Sequence, residues 1–211
     1  TITVTSPNGG EQFYRGSAMT INWTSVTTGG SVRIELYKGR HRKRMISINA
    51  PNTGSYTWTI PPTLRPGSNF RIKLTATNNE LQTDLSDATF SILAPSLRVT
   101  YPNASYITWT KGGIYNITWT NNGNPGAYVR IDLYRGSTRK YVVTNSTPNT
   151  GSFSYQVPAN ARESSDYRVR VTSVTQPKYS DYSDHCFTIG SASRGRPAIE
   201  IVEPQGDPTS D

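Results

Sequence analysis

Residues 32–39 of the chain read VRIELYKG, and residues 129–136 read VRIDLYRG. In both stretches Val, Ile and Leu alternate with charged or aromatic residues. This period of two is typical of a β-strand that buries one face and exposes the other. The offset between the stretches is 97 residues, so the sequence predicts two copies of one β-rich unit.

Further matches extend outward from these stretches at nearly the same spacing. Trp23 and Trp119 correspond at an offset of 96 residues, which indicates one inserted residue in the second copy. We therefore predict a first repeat at residues 1–94, a linker at residues 95–96 and a second repeat at residues 97–190. The other matches are PNTGSYTWTIP from Pro51 with PNTGSFSYQVP from Pro148, NFRIKLT from Asn69 with DYRVRVT from Asp166, and SDATFSI from Ser86 with SDHCFTI from Ser183.

The tail, residues 191–211, contains a run that resembles the start of the first repeat. IEIVEP at 199–204 matches ITVTSP at 2–7 at an offset of 197 residues. Both runs carry alternating β-branched residues and end at proline, which favours a strand. We expect the first strand of a further copy here, and a disordered acidic tail is the alternative. The residues expected to form an inter-subunit strand are Ile199, Ile201 and Val202.

Each repeat carries about seven strand signals, separated by turn residues such as Asn, Gly and Pro. This density is typical of immunoglobulin-like and fibronectin III-like sandwiches. We therefore predict an all-β chain of two tandem β-sandwiches of this kind with a C-terminal extra strand. In the first repeat the strands are expected near residues 2–5, 18–24, 31–37, 44–48, 55–60, 69–76 and 88–93. The faces expected to point inward include Met19, Ile21 and Trp23; Val32, Ile34 and Leu36; and Phe70, Ile72 and Leu74. Their counterparts are Tyr115, Ile117 and Trp119; Val129, Ile131 and Leu133; and Tyr167, Val169 and Val171.

Composition excludes several classes of protein. The single Cys precludes an intrachain disulfide, and one Cys with two His cannot form a Cys/His zinc site. No apolar run approaches the ~18 residues of a membrane span. The net charge is +8, with +5 in residues 1–96, +5 in 97–190 and −2 in 191–211. This balance favours anionic partners without choosing among them. Because the chain starts at Thr1 rather than Met, we expect it to be part of a longer protein.

The ordered motifs resemble one known family. The run SPNGGEQFYRGSAMTINWTS, followed by the matches above, is similar to the domain of the fungal cell-wall β-1,6-glucan assembly proteins, also called the Ser/Thr-rich GPI-anchored membrane protein domain. The family's aromatic residue three positions before a glycine is present as Phe13 before Gly16 and as Trp109 before Gly112. The second repeat lacks the Gly-Gly-Glu of the first. The resemblance implies an extracellular, non-catalytic β-sandwich module without catalytic residues or a cofactor.

Two sets of residues are candidates for partner or glycan contact. Tyr37 and Tyr134 alternate away from the inward face, which suits either a binding surface or ordinary cross-strand packing. The densest basic run is expected at a hairpin tip after the third strand, where it is either simply solvated or in contact with a polyanion. The basic candidates are Lys38, Arg40, Arg42, Lys43, Arg44 and, in the second repeat, Arg135.

Three other sequence patterns are typical of functional sites in some proteins. Asp84-Leu85-Ser86-Asp87 matches Asp181-Tyr182-Ser183-Asp184, and the motif favours a turn over a calcium site because it supplies too few oxygen ligands. His185 and Cys186 are expected on opposite faces of a strand, so they do not form a catalytic pair. Possible N-glycosylation sequons occur at Asn22, Asn103, Asn116 and Asn145.

The sequence thus favours a non-catalytic, extracellular structural module of a cell-surface or filament-forming protein. Its expected roles are spacing, display and self-assembly, with other copies of itself or further repeats as partners. The alternative is a carbohydrate-binding or adhesion module that recognises cell-wall or anionic glycans. Nucleic acid is disfavoured because stacking aromatics are not interleaved with the basic run. An enzyme is disfavoured because no cluster of titratable residues is evident, and no cofactor or metal is expected.

Overall fold

The computed structural model describes residues 1–26 and 30–192, and this part of the chain is all-β, with two tandem sandwiches. The first sandwich contains β1 (Ile2–Ser6), β2 (Gln12–Tyr14), β3 (Ala18–Ser25), β4 (Ser31–Lys38), β5 (His41–Pro51), β6 (Ser55–Thr59), β7 (Gly67–Ala76), β8 (Asn79–Leu85) and β9 (Phe90–Leu93). The second contains β10 (Ser96–Tyr101), β11 (Thr108–Thr110), β12 (Ile114–Asn122), β13 (Tyr128–Arg135), β14 (Thr138–Pro148), β15 (Ser152–Gln156), β16 (Ser164–Ser173), β17 (Ser180–Tyr182) and β18 (Phe187–Gly190).

Each sandwich packs a three-stranded sheet against a six-stranded sheet. In the first repeat the small sheet has the order β1-β3-β6, and the large sheet has the order β2-β9-β7-β4-β5 with β8 also paired to β7. The second repeat reproduces both sheets as β10-β12-β15 and β11-β18-β16-β13-β14, with β17 paired to β16. The short strands β2 and β11 run parallel to β9 and β18, and the other pairings are antiparallel.

The all-β tandem fold predicted from the sequence is confirmed, but two strands per repeat were missed. These are β2 and β8 in the first repeat, with β11 and β17 as their counterparts. β2 has only three residues, and β8 reads NELQTDL, in which no apolar alternation marks a buried face. The charged run consequently follows the fourth strand, not the third, and it continues from the hairpin tip into edge strand β5. The predicted tail strand lies outside the described residues.

The predicted inward faces form the two cores. Met19, Ile21 and Trp23 are buried in the first repeat, as are the inward residues of β4 and β7. In the second repeat Trp119 is buried likewise, whereas Tyr115 is half-buried and packs against the core. The expectation that both tryptophans are core residues is therefore confirmed.

The PNTG motif satisfies the polar edge of each core tryptophan. Trp23 Nε1 donates to Asn52 Oδ1 at 2.8 Å, and Trp119 Nε1 donates to Asn149 Oδ1 at 2.7 Å. A buried indole N–H without an acceptor would cost free energy, which explains why the Asn recurs with the Trp. The glycine of the motif has φ +87° at Gly54, a left-handed conformation that favours glycine.

The second core is richer in aromatic rings than the first. Trp109 is fully buried, stacks on Tyr115 with ring centroids 4.9 Å apart, and lies 6.2 Å from the ring of Tyr155. Burial raises the pKa of Tyr155 to about 12, and the neighbouring Tyr141 and Tyr167 add to the shift. The first repeat has Trp58 at the corresponding position, which has no ionisable group.

This difference predicts alkaline sensitivity in the second repeat. Because the folded pKa of Tyr155 lies above its ordinary value of 10.0, the protonated phenol stabilises the fold below about pH 10. That contribution is lost as pH rises through about 12, and it amounts to at most about 2–3 kcal/mol. We expect Tyr155→Phe to reduce the loss of stability between about pH 9 and pH 12, as measured by urea unfolding. An unchanged pH dependence in this variant would contradict the assignment.

Candidate functional site

The outer face of the large sheet in the first repeat carries the candidate binding residues. β4 points Val32, Ile34 and Leu36 into the core, so its alternate residues face outward. In the antiparallel register of β4 and β7, Tyr37 lies opposite Arg71, and Glu35 lies opposite Lys73. The outward positions of two adjacent strands thus place an aromatic ring, a carboxylate and two cations side by side.

A groove of about 550 Å³ opens on this face. Its cations are Arg40 from the hairpin tip, Arg71 and Lys73, and Lys73 Nζ lies 5.7 Å from the centroid of the Tyr37 ring. Within the described residues, none of these three cations has a carboxylate oxygen within 4.0 Å. The remaining lining residues are Gly39, Thr83, Asp84 and Leu85. We call this site the β4–β7 groove.

A buried carboxylate, Glu35, forms ion pairs with two neighbouring arginines outside the groove, and Arg33 is also paired with Glu80 at 2.9 Å. Glu35 Oε1 accepts from Arg42 at 3.1 Å, and Glu35 Oε2 lies 3.5 Å from Arg33 Nε. The second repeat repeats this arrangement with Asp132, which accepts from Arg130 at 2.8 Å. The Glu35 side chain is only 4% exposed, so its charge is held by these partners rather than by water.

The predicted basic run is divided among several places. Arg40 lines the β4–β7 groove, and Arg42 is paired with Glu35. Lys38 lies 5.1 Å from the centroid of the Phe70 ring and lines a different concavity together with Lys43. Arg44 is exposed on β5. Charged side chains on an edge strand hinder pairing with other chains, which accounts for part of the run without a ligand.

In the second repeat, the ring of Tyr182 lies at the position that corresponds to Leu85 of the β4–β7 groove. Its ring lies 5.1 Å from that of Tyr134 and 4.9 Å from the Arg170 guanidinium carbon. Burial, followed by a hydrogen bond with Tyr134, raises the pKa of Tyr182. Arg135, the other predicted contact residue, lies 4.0 Å from Asp166.

The predicted contact residues did not include three charged residues of the β4–β7 groove, namely Arg71, Lys73 and Asp84. The alternation in FRIKLT already placed Arg71 and Lys73 on the face opposite Phe70, Ile72 and Leu74. What the sequence could not provide was the register between β4 and β7, which brings these cations beside Tyr37.

The Asp-x-Ser-Asp motif forms a latch between the two sheets. Asp84 Oδ2 accepts from Val4 N at 2.8 Å, across the gap between β8 and β1. Ser86 Oγ donates to Pro7 O at 2.8 Å and accepts from Ile72 N at 2.9 Å. These bonds use the motif's polar groups for structure, as the turn interpretation favoured. We call Asp84, Ser86 and their partners the sheet latch.

The second repeat forms the counterparts of two of these three hydrogen bonds. Asp181 Oδ2 accepts from Val99 N at 2.8 Å, and buried Ser183 accepts from Val169 N at 3.2 Å. Asn103 Nδ2 donates to Asp184 Oδ2 at 2.9 Å. The Asn103 hydrogen bond, with help from the Arg98 charge, lowers the pKa of Asp184.

The structure corrects the argument made from the sequence about His185 and Cys186. His185 and Cys186 lie in the bend before β18 rather than on a strand, because β18 begins at Phe187. The argument from opposite strand faces was therefore wrong.

Among the described residues, no three His, Cys, Asp or Glu side chains are grouped so as to hold a metal ion. The same residues contain no helix long and apolar enough to cross a membrane.

The four sequons differ in accessibility. Asn116 and Asn145 are exposed, whereas Asn22 is half-buried within β3. Both polar atoms of the Asn103 side chain form hydrogen bonds: Nδ2 donates to Asp184 Oδ2, and Oδ1 accepts from Asp184 N. Glycosylation at Asn103 would disturb these bonds, so Asn116 and Asn145 are the sequons that the fold leaves accessible.

Comparison with known proteins gives the family. The model of the Kre9/KNH-like N-terminal Ig-like domain matches the chain twice, over residues 6–92 and 102–189. The chain belongs to this family. The Kre9/KNH-like domains coincide with the two sandwiches, and the resemblance seen in the motifs is confirmed. No curated protein sequence matches the chain significantly.

Solved structures with a similar fold are remote from this Kre9/KNH-like chain. The fibronectin(III)-like modules of CbhA from Clostridium thermocellum share 16% identity, over 90% of this chain and 94% of that one, with a TM-score of 0.28. A chimeric titin Z1Z2 shares 18% identity, over 90% of this chain and 97% of that one, with a TM-score of 0.35. Three N-terminal domains of the bacteriophage RB49 Highly Immunogenic Outer Capsid protein share 10% identity, over 91% of this chain and 70% of that one, with a TM-score of 0.32. These likenesses do not bear on what the chain binds.

The sheet latch predicts a specific loss of stability. Ser86→Ala leaves the buried Ile72 N and Pro7 O without the hydroxyl, so we expect the free energy of unfolding to fall by about 1–3 kcal/mol. Ser68→Ala, at an exposed position, is the control and should change it by no more than about 0.5 kcal/mol. Urea unfolding measures both. Millimolar calcium should leave the midpoint unchanged, and a midpoint that rises with calcium concentration would show that the motif binds the ion.

Proposed function

We propose that the chain is a non-catalytic structural segment of an extracellular, cell-surface protein, in which the two sandwiches act as a stiff spacer. Membership of the Kre9/KNH-like family supports this role. The acids support it as well, because buried Glu35 and Asp132 are paired with arginines, and the half-buried latch aspartates accept hydrogen bonds from backbone amides. Carboxylates engaged in this way are poorly placed for general acid–base chemistry.

The junction between the repeats is the observation that carries the proposal. β9 ends at Leu93 and β10 begins at Ser96, so Ala94 and Pro95 alone connect the sandwiches. A connection of two residues that includes proline restricts rotation. The connection shares Pro95 with the predicted linker, residues 95–96, and we propose that linker as the unit boundary.

Side chains from both repeats meet at this junction. The backbone of Gly123 lies so close to Tyr14 that a Cβ at Gly123 would overlap the base of the tyrosine side chain. The guanidinium carbon of Arg15 lies 5.9 Å from the centroid of the Tyr179 ring, within reach of a cation–π interaction. Gly123 has φ +68° and Asn124 has φ +55°, so this loop adopts a left-handed conformation at the contact. Contacts of this kind favour one relative orientation of the repeats over free hinging.

The spacer proposal predicts how the junction responds to substitution. We expect small-angle X-ray scattering of the intact chain to fit a narrow distribution of inter-repeat orientations. Gly123→Ala should broaden it, because the new methyl group displaces Tyr14. Gly112→Ala is the matched control, since Gly112 also has a positive φ (+78°) but has no atom within 4 Å of an added Cβ. The proposal would fail if the intact chain required a broad ensemble that Gly123→Ala left unchanged.

We further propose that the tail connects neighbouring units. Ile199, Ile201 and Val202 would pair with an open sheet edge of another copy, as a strand added in trans. The support is the match between this run and the first strand β1. Deleting residues 197–211 should then abolish concentration-dependent assembly in light scattering. Assembly that persists after the deletion would remove the tail from the mechanism, while the spacer role of the two sandwiches would stand.

A further inference from the structure

We propose that the β4–β7 groove binds a carboxylate-bearing sugar residue of an acidic polysaccharide. The inference goes beyond the spacer role and does not depend on it. The volume of about 550 Å³ falls within the range of about 300–1,000 Å³ that is usual for ligand pockets. The groove also combines a few converging charged groups with an aromatic wall, as binding sites commonly do.

The first step of the argument is uncompensated charge. Arg40, Arg71 and Lys73 converge on the groove, and Asp84 is the one acid among its lining residues. Within the described residues, neither Asp84 nor any other acid brings a carboxylate oxygen within 4.0 Å of these cations. By contrast, Arg33 and Arg42 on the same face are paired with Glu35. An incoming carboxylate would supply the missing partner, and arginine can bind it through two parallel hydrogen bonds.

The second step is the mixture of chemistry around the cations. Tyr37 and Leu85 offer apolar surface suited to the C–H face of a pyranose ring, and the Asp84 carboxylate can accept hydroxyl donors. An acidic sugar presents all three matching features: a carboxylate, several hydroxyls and an apolar ring face. A DNA strand would bring a negative charge at each phosphate towards Asp84 and has no 2′-hydroxyl to donate to that carboxylate. The groove therefore fits an acidic sugar better than DNA.

The second repeat provides an internal comparison. Ser137 replaces Arg40, and Tyr182 replaces Leu85. The Tyr182 ring packs against Tyr134 and Arg170, while Arg168, the counterpart of Arg71, donates to the carbonyl of Asp184 at 2.7 Å. The ring and cations that would contact a ligand thus contact the protein itself. A concavity of about 530 Å³ is present on this face of the second repeat, but Asp132 lines it and is paired with Arg130 and Arg139. We therefore place the proposed site in the first repeat, where the lining cations have no such partner among the described residues.

The residues of the second repeat supply the test variants. Leu85→Tyr should fill the groove, and Arg40→Ser should remove one cation from it. Lys43→Ser is the matched control, because it removes the same charge from the same hairpin while Lys43 lines a different concavity. The probe is an oligogalacturonate of defined length, and its methyl ester retains the hydroxyls but removes the charge. Binding is measured by isothermal titration calorimetry on the full chain, after thermal unfolding has shown that each variant is folded.

We expect the free oligogalacturonate to bind and the methyl ester to bind at least about tenfold more weakly. Leu85→Tyr and Arg40→Ser should each weaken binding by a similar factor, and Lys43→Ser should change it less than about twofold. Absence of binding would overturn the proposal, as would equal binding of the methyl ester. Equal losses in Arg40→Ser and Lys43→Ser would show attraction to net charge alone. Binding of polyglutamate or single-stranded DNA with the same affinity and variant pattern would reassign the groove to a general polyanion.

Discussion

Each sandwich depends on holding its two sheets together at the edge where β1 meets β8. The two strands belong to different sheets, so backbone pairing within a sheet does not join them. The latch provides the connection: Asp84 accepts from Val4 N, and buried Ser86 bridges Pro7 O and Ile72 N. Because unpaired buried polar groups are costly, these bonds also fix the orientation in which the apolar faces can pack.

Much of the fold could be predicted from the sequence, because alternation reports directly on burial. VRIELYKG and FRIKLT each place three apolar residues on one side, and those residues form the core. β2 and β8 escaped prediction for a different reason. β2 has only three residues, of which Phe13 packs against the core, and β8 contains no fully buried residue. Neither strand therefore leaves a periodic apolar signal.

The candidate site was harder to predict, because it is defined by register rather than by motif. Tyr37 and Arg40 were identified from the sequence, but the groove also requires Arg71 and Lys73 from a strand about 35 residues later, which only tertiary pairing positions. The dense basic run led to a prediction of more contact residues than the structure makes available. Arg42 is paired with Glu35, and Lys38 lies against Phe70. Local charge density therefore overstated the number of cations that are available to a ligand.

The two repeats retain the same interior and differ at the junction between them and on the outer face of the large sheet. Trp, the PNTG motif and the latch recur with nearly identical hydrogen bonds. At the junction, by contrast, the second repeat has Thr110 and Lys111 in place of Tyr14 and Arg15. On the outer face it has Tyr182 in place of Leu85, and the Tyr182 ring packs against Tyr134. Latch and core residues are constrained by burial, whereas outer positions change with little cost to stability. Duplication thus allows each repeat to keep its own core while the charged and aromatic residues of its outer face change.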